Sequence, residues 1–173
     1  MRLRGYDYSR AGVYFVTICT YQRECLLGEV VDGRVRLNAC GQLVAEAWSW
    51  LSQRYRYVEL DACVVMPNHL HGILVITDVD APSRGDSRIA PTPNAPPRRK
   101  TLGRLIGAFK TVSAKHINAL RDTCGAHVWQ RGYYDRIVRN ERELGAIRQY
   151  VRRNPAKWAE DSENPSRWVP KEV

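Results

Sequence analysis

The chain alternates between stretches of two-residue periodicity and stretches of helical periodicity. Tyr14 to Tyr21 (YFVTICTY) is β-branched and aromatic throughout and predicts a central strand. In the next stretch, CLLGEVVDGRVRLN, Asp32-Gly33 separates two short extended runs, which predicts a hairpin. Asn38 then suits the N-cap of a helix whose apolar positions are Leu43, Val44, Ala47, Trp48 and Leu51. Tyr57 to Met66 predicts a second core strand, ended by Pro67-Asn68, and His69 to Thr77 a third. Thr101 opens a long helix with Leu102, Leu105, Ile106, Phe109, Val112, Ile117 and Leu120 inward and Arg104, Lys110 and Lys115 on its other side. Val128 to Val138 predicts a strand with a bend at Gly132. Asn140 and Glu143 resemble a capping box for a last helix, which stops before Pro155.

The predicted order is strand, hairpin, helix, strand, strand, helix, strand, helix. This gives an α+β, ferredoxin-like (RRM-like) antiparallel sheet in βαββαβ order, with two helices on one face and the opposite face free for a ligand. Residues 78–97, where prolines mix with serine, glycine and aspartate, keep no periodicity and are expected to be a flexible insertion. One domain over residues 1–158 and a tail over 159–173 are expected.

Charge sharpens this picture. The chain carries 27 basic and 18 acidic residues, a net +9. Residues 1–97 hold ten of each sign, whereas residues 98–157 hold fifteen basic and four acidic. Arginine outnumbers lysine 22 to 5, and the guanidinium fork suits phosphate. A solvated face is the bland reading of a charge run, but this one-sided excess points to nucleic acid. The candidate phosphate contacts are Arg98, Arg99, Lys100, Arg104, Lys110, Lys115, Arg131, Arg148, Arg152 and Arg153. No apolar run is long enough for a bilayer, and the N-terminal stretch lacks a signal-peptide cleavage site, so a cytoplasmic protein without membrane contact is expected. The five cysteines match neither a disulfide framework nor a zinc knuckle and are expected to be buried thiols.

His69-Leu70-His71 carries the sharpest chemistry. On a strand, positions i and i+2 share a face, so both imidazoles can address one ion while Leu70 turns to the core. Two satisfied surface histidines are the competing reading. In the last helix Tyr150 and Asn154 lie four residues apart and share one face, with Tyr150 at the edge of the Leu144–Ile147–Val151 stripe. By itself Tyr150 reads as an ordinary amphipathic tyrosine. Beside a metal-binding histidine pair it becomes a candidate nucleophile for a phosphodiester, with Asn154 offering a further oxygen ligand.

PNHLHGILV and the closing Tyr-Val-Arg-Arg-Asn-Pro, with GYDYSRAGVYFVTICT, IGAFKTVSAKHIN and WQRGYYDRIVRNERELGAIRQYVRRNPAKW, resemble the insertion-sequence-200-like single-tyrosine transposases of the HUH (histidine–hydrophobe–histidine) type. The REP-associated tyrosine transposase branch is the best match. The resemblance implies a DNA transesterase acting on single-stranded DNA or on palindromic repeats folded as hairpins. It implies His69 and His71 as ligands of magnesium or manganese, Tyr150 as a nucleophile forming a 5′-phosphotyrosine, and a nucleophile helix at the C-terminal end. Asn154 stands where the family often has glutamine. Both monomers and homodimers occur in the family.

Two other readings compete. A non-catalytic RRM-like binder of single strands would stack bases on Tyr14, Tyr21 or other aromatics, but the RNP-type aromatic motif is absent. A water-using phosphodiesterase would need a second histidine pair. His116 instead reads as a core-edge helix residue and His127 as the first residue before a strand. Of Tyr133 and Tyr134, adjacent on a strand, at most one can face the site.

Overall fold

The computed structural model describes residues 6–78 and 99–167. The proline-rich stretch beyond Asp78, Arg98, and the last residues of the tail lie outside the described residues.

The elements run β1 (Gly12–Cys19), β2 (Gly28–Val31), β3 (Arg34–Leu37), α1 (Ala39–Arg54), β4 (Val58–Val65), β5 (His69–Ile76), α2 (Leu102–Arg121), β6 (Tyr134–Val138) and α3 (Glu141–Arg153). Four strands form one antiparallel sheet in the order β4-β5-β1-β6, and β2-β3 is a separate hairpin. The expected α+β, ferredoxin-like βαββαβ plan is therefore present, with α3 added after it.

Local chemistry accounts for the element ends. Asp32 and Gly33 adopt φ of 51° and 69°, the left-handed pair that a tight hairpin turn requires. The side chains of Asn38, Thr101 and Asn140 each accept a hydrogen bond from a first-turn backbone N–H, capping α1, α2 and α3. At α3 Glu143 Oε2 also accepts the N–H of Arg139, one residue before the cap, at 2.9 Å, a variant of the capping box.

Strand alternation divides the apolar residues between the two sheet faces. Tyr14, Val16 and Ile18 of β1 and Leu70, Leu74 and Ile76 of β5 meet α1 and α2 through Trp48, Leu51, Leu102, Leu105 and Phe109. Gly72 faces this layer, and a Cβ there would lie 2.4 Å from the Trp48 ring, so only glycine lets α1 lie this close. On the other face Phe15, Ile73 and Val138 bury Leu144, Ile147 and Val151 of α3. That face was expected to be free, yet α3 covers part of it. The sequence reason is the apolar stripe of α3, which must be buried somewhere.

Pairing of β4 with β5 shifts between Leu60 and Cys63, a bulge that sets Asp61 and Ala62 opposite the single residue Ile73. Other differences from expectation are local. The strand predicted over Val128–Val138 shrinks to Tyr134–Val138, because Gly132 takes φ +90° and breaks it; Trp129 keeps one bridge, to Thr20. Leu120 is exposed near the end of α2, and His116 is exposed rather than at the core edge. Tyr14 is wholly buried and cannot stack a base. All five thiols are free, but only Cys40 is buried, while Cys25, Cys63 and Cys124 are exposed. Among the described residues no helix is long and apolar enough to cross a membrane.

Candidate active site

His69 and His71 project from β5 on the face that α3 partly covers. Each imidazole is fixed through its Nδ1. His69 Nδ1 lies 2.9 Å from Asn68 Oδ1, while Asn68 Nδ2 donates to the carbonyl oxygens of Arg23 and Glu163. With its amide nitrogen so engaged, Asn68 presents an acceptor, which puts the proton of His69 on Nδ1 and the lone pair on Nε2. His71 Nδ1 lies 2.8 Å from Thr17 Oγ1, its partner on β1. Both Nε2 atoms consequently converge, 3.0 Å apart. Burial pushes both imidazoles down to about 3, assisted by Arg23 at His69 and by His69 at His71, so both are neutral at physiological pH.

The last helix brings its tyrosine to the same point. Tyr150 Oη lies 3.1 Å from His71 Nε2, and its ring meets those of His71 and Phe15 edge-on, at centroid separations of 5.1 and 6.0 Å. The side chain is 48% exposed, so the phenol reaches the site from the solvent side. Burial of its hydroxyl raises the phenol above its usual value of 10; Asp161 and Glu163 add to the rise, and Asn154 opposes it. The unaided phenol is therefore a poor nucleophile at neutral pH.

Asn154 is 3% exposed. Its Nδ2 donates to Asp161 Oδ2 at 3.0 Å, and its Oδ1 is buried without a hydrogen-bond partner. Asp161 was missed by sequence reasoning. It follows the short turn Pro155–Glu160, where no periodicity marks it, and its carboxylate comes within 3.9 Å of His69 Nε2. Ligand atoms of His69, His71 and Asp161 all lie within 4.8 Å of one another. This segment is held by Glu163, whose carboxylate accepts from Cys19 Sγ and pairs with Arg23, and by Trp158, whose ring lies 6.0 Å from that of His69.

These residues fit a divalent cation. Two neutral imidazoles converge through their Nε2 atoms, a carboxylate stands beside them, and the buried amide oxygen of Asn154 has no hydrogen-bond partner. His69 and His71 would hold such an ion through Nε2, with Asp161 beside them.

The basic residues divide into engaged and open ones. Arg148 grips Asp61 with Nε and Nη2 at 2.6 to 3.1 Å, fastening α3 to the bulge of β4. Lys110 donates to the carbonyl oxygens of Gln130 and Gly132, Arg99 pairs with Asp78 at 2.8 Å, and Lys100 donates to Tyr55 Oη at 3.1 Å. These four have structural duties that an amphipathic pattern does not reveal. Arg104, Lys115, Arg131, Arg152 and Arg153 are exposed. A cleft of about 500 Å³ opens beside the site, lined by Tyr150, Asn154 and Asp161 with Arg153 and Lys157.

No known family profile matches this sequence. A protein of Haemophilus influenzae without assigned function is 34% identical over 178 residues, covering 93% of this chain and 89% of that protein. A REP-associated tyrosine transposase, solved bound to a REP hairpin, superposes with a TM-score of 0.58 at 19% identity, over 91% of this chain and 73% of that one. A solved structure from Deinococcus radiodurans gives 0.50 at 18% identity, over 88% and 95%. The chain thus belongs to one family with the Haemophilus influenzae protein and has the fold of the REP-associated tyrosine transposase.

Proposed function

We propose that this protein is a transposase-like, metal-dependent DNA transesterase, which cleaves and rejoins single-stranded or hairpin DNA through Tyr150. The observation that carries this reading is the 3.1 Å approach of a half-exposed phenol to a buried, neutral imidazole pair. The excess of arginine and the fold shared with a hairpin-bound transposase support DNA as the substrate.

In this reading His69, His71 and Asp161 hold magnesium or manganese, with Asn154 Oδ1 as a fourth donor. When bound, the cation polarises the phosphate and places positive charge beside the phenol. Asn68 and Thr17 hold the imidazoles with both Nε2 atoms inward. Arg153 and Lys157 at the cleft rim grip the phosphates on either side. Tyr150 Oη attacks phosphorus, and the bond to the 3′ oxygen breaks. That oxygen leaves with a proton as a 3′-hydroxyl, and the 5′ phosphate stays on the tyrosine as an ester. Attack of another 3′-hydroxyl on this ester reverses the exchange, so rejoining needs no nucleotide cofactor.

The test is a labelled hairpin oligonucleotide with a single-stranded tail. Wild type is expected to form a denaturation-resistant adduct in manganese, and Tyr150→Phe none while still binding. Binding without cleavage by either protein, in any divalent ion, would point to a non-catalytic binder.

A further inference from the structure

We propose that single-stranded DNA reaches Tyr150 through a groove between β6 and α3, in which Tyr134 stacks a base adjoining the scissile phosphate. The inference rests on the transesterase reading above and adds to it a base-binding subsite.

Strand register supplies the first observation. Thr17 pairs with His71 on one side and with Tyr134 on the other. Directly paired residues project from the same sheet face, so His71, Thr17 and Tyr134 form one row across β5, β1 and β6. Tyr134 stands two strand spacings from His71, about 10 Å. It is 49% exposed, on an edge strand, and its ring meets no other aromatic ring among the described residues.

Helix spacing supplies the second. Arg142, Ala146 and Tyr150 succeed one another every four residues and form a single stripe along α3. Ala146 lines the cleft that holds Tyr150, and it also lines a second cleft of about 690 Å³ with Tyr134, Arg136, Arg139 and Arg142 on its walls. The two clefts therefore meet at this methyl group, the smallest side chain of the stripe after which the phenol follows. Ala146 thus walls both clefts, with arginines and the exposed Tyr134 ring in one and the candidate nucleophile in the other.

The chemistry of these clefts suits a single strand rather than a duplex. Every base offers a π-face to an exposed aromatic ring, and single-strand binders pair such rings with cations that follow the backbone. Arg136 is held by Glu143 at 2.6 Å, which leaves the exposed Arg139 and Arg142 for phosphates. Tyr133, its neighbour, turns to the α1–α2 layer, so the adjacent tyrosines have different duties.

The experiment measures binding in the Tyr150→Phe background, where cleavage cannot interfere, using a hairpin with a single-stranded tail. Tyr134→Ala is expected to weaken affinity about tenfold, and Tyr134→Phe less than twofold, at unchanged melting temperature. An abasic substitution scanned along the tail is expected to cost affinity at one position next to the cleavage site. At that position it should cost nothing further in Tyr134→Ala. An alanine variant that binds as tightly as its parent overturns the subsite, as does a loss that is equal for a tailless hairpin or equal at every abasic position. The outcome is separable from the transesterase reading. Covalent attachment by wild type can stand while the Tyr134 effect fails, and the Tyr134 effect can stand without any adduct.

Discussion

Arg148 holds both carboxylate oxygens of Asp61, so the helix that carries Tyr150 is tied to the bulged strand β4 two residues before the phenol. The guanidinium beside Asp61 keeps its carboxyl below the usual carboxylate range. The depressed value means that the pair contributes stability above the unfolded-state pKa near 4 and loses it as pH falls further. Arg148 is solvated, so the pair contributes only weakly to stability. Asp61→Ala and Arg148→Ala are each expected to lower the melting temperature by a few degrees at neutral pH. Adduct formation should fall more than folding does, because the tie sets how α3 lies against β5. Variants that melt early but react at the wild-type rate would remove the clamp from any part in positioning Tyr150.

The imidazole pair makes the ion-free protein acid-sensitive. Both histidines are pushed down to about 3 in the fold, against about 6.5 when unfolded. Unfolding therefore takes up protons below pH 6.5, and stability falls as pH drops from there toward 3. The slope is at most about 1.4 kcal/mol per pH unit for each imidazole. A His69→Gln, His71→Gln variant should lose this dependence between pH 6.5 and 4 in thermal denaturation. Equal slopes in the two proteins would refute the assignment.

Manganese is expected to raise the melting temperature of wild type, with about 2.7 kcal/mol of added stability at a hundredfold excess over Kd. His71→Ala should abolish the shift. Asp161→Asn should reduce it, since Asp161 Oδ2 stands 3.9 Å from His69 Nε2. A full shift in His71→Ala would place the ion elsewhere.

Gly72 separates His71 from Ile73 and faces Trp48. Gly72→Ala forces a Cβ to 2.4 Å from the indole ring, and overpacking of this kind costs about 1–3 kcal/mol. Chemical denaturation measures it, and a neutral outcome would mean that Trp48 can swing aside.

Much of this was legible in the sequence. The two-residue period put His69 and His71 on one face, and the helical period put Tyr150 at the margin of an apolar stripe. The structure keeps both relationships. What escaped was set by contacts between distant segments. Asp161 lies in a stretch without periodicity, and only the fold brings it to His69. Lys110 looked like a solvated cation because its partners are the carbonyls of a loop twenty residues later. Arg148 looked like a phosphate ligand, since nothing in the sequence pairs it with Asp61, 87 positions earlier. Tyr134 gains meaning only from register across two strands.

The most direct measurement is mass spectrometry of the proteolysed adduct between wild-type protein and a tailed hairpin oligonucleotide in manganese. A nucleotide 5′-phosphate esterified to Tyr150 is expected, and it should be absent when the metal is chelated. An adduct on Tyr133 or Tyr134, or cleaved DNA with no protein attached, would contradict the role of Tyr150.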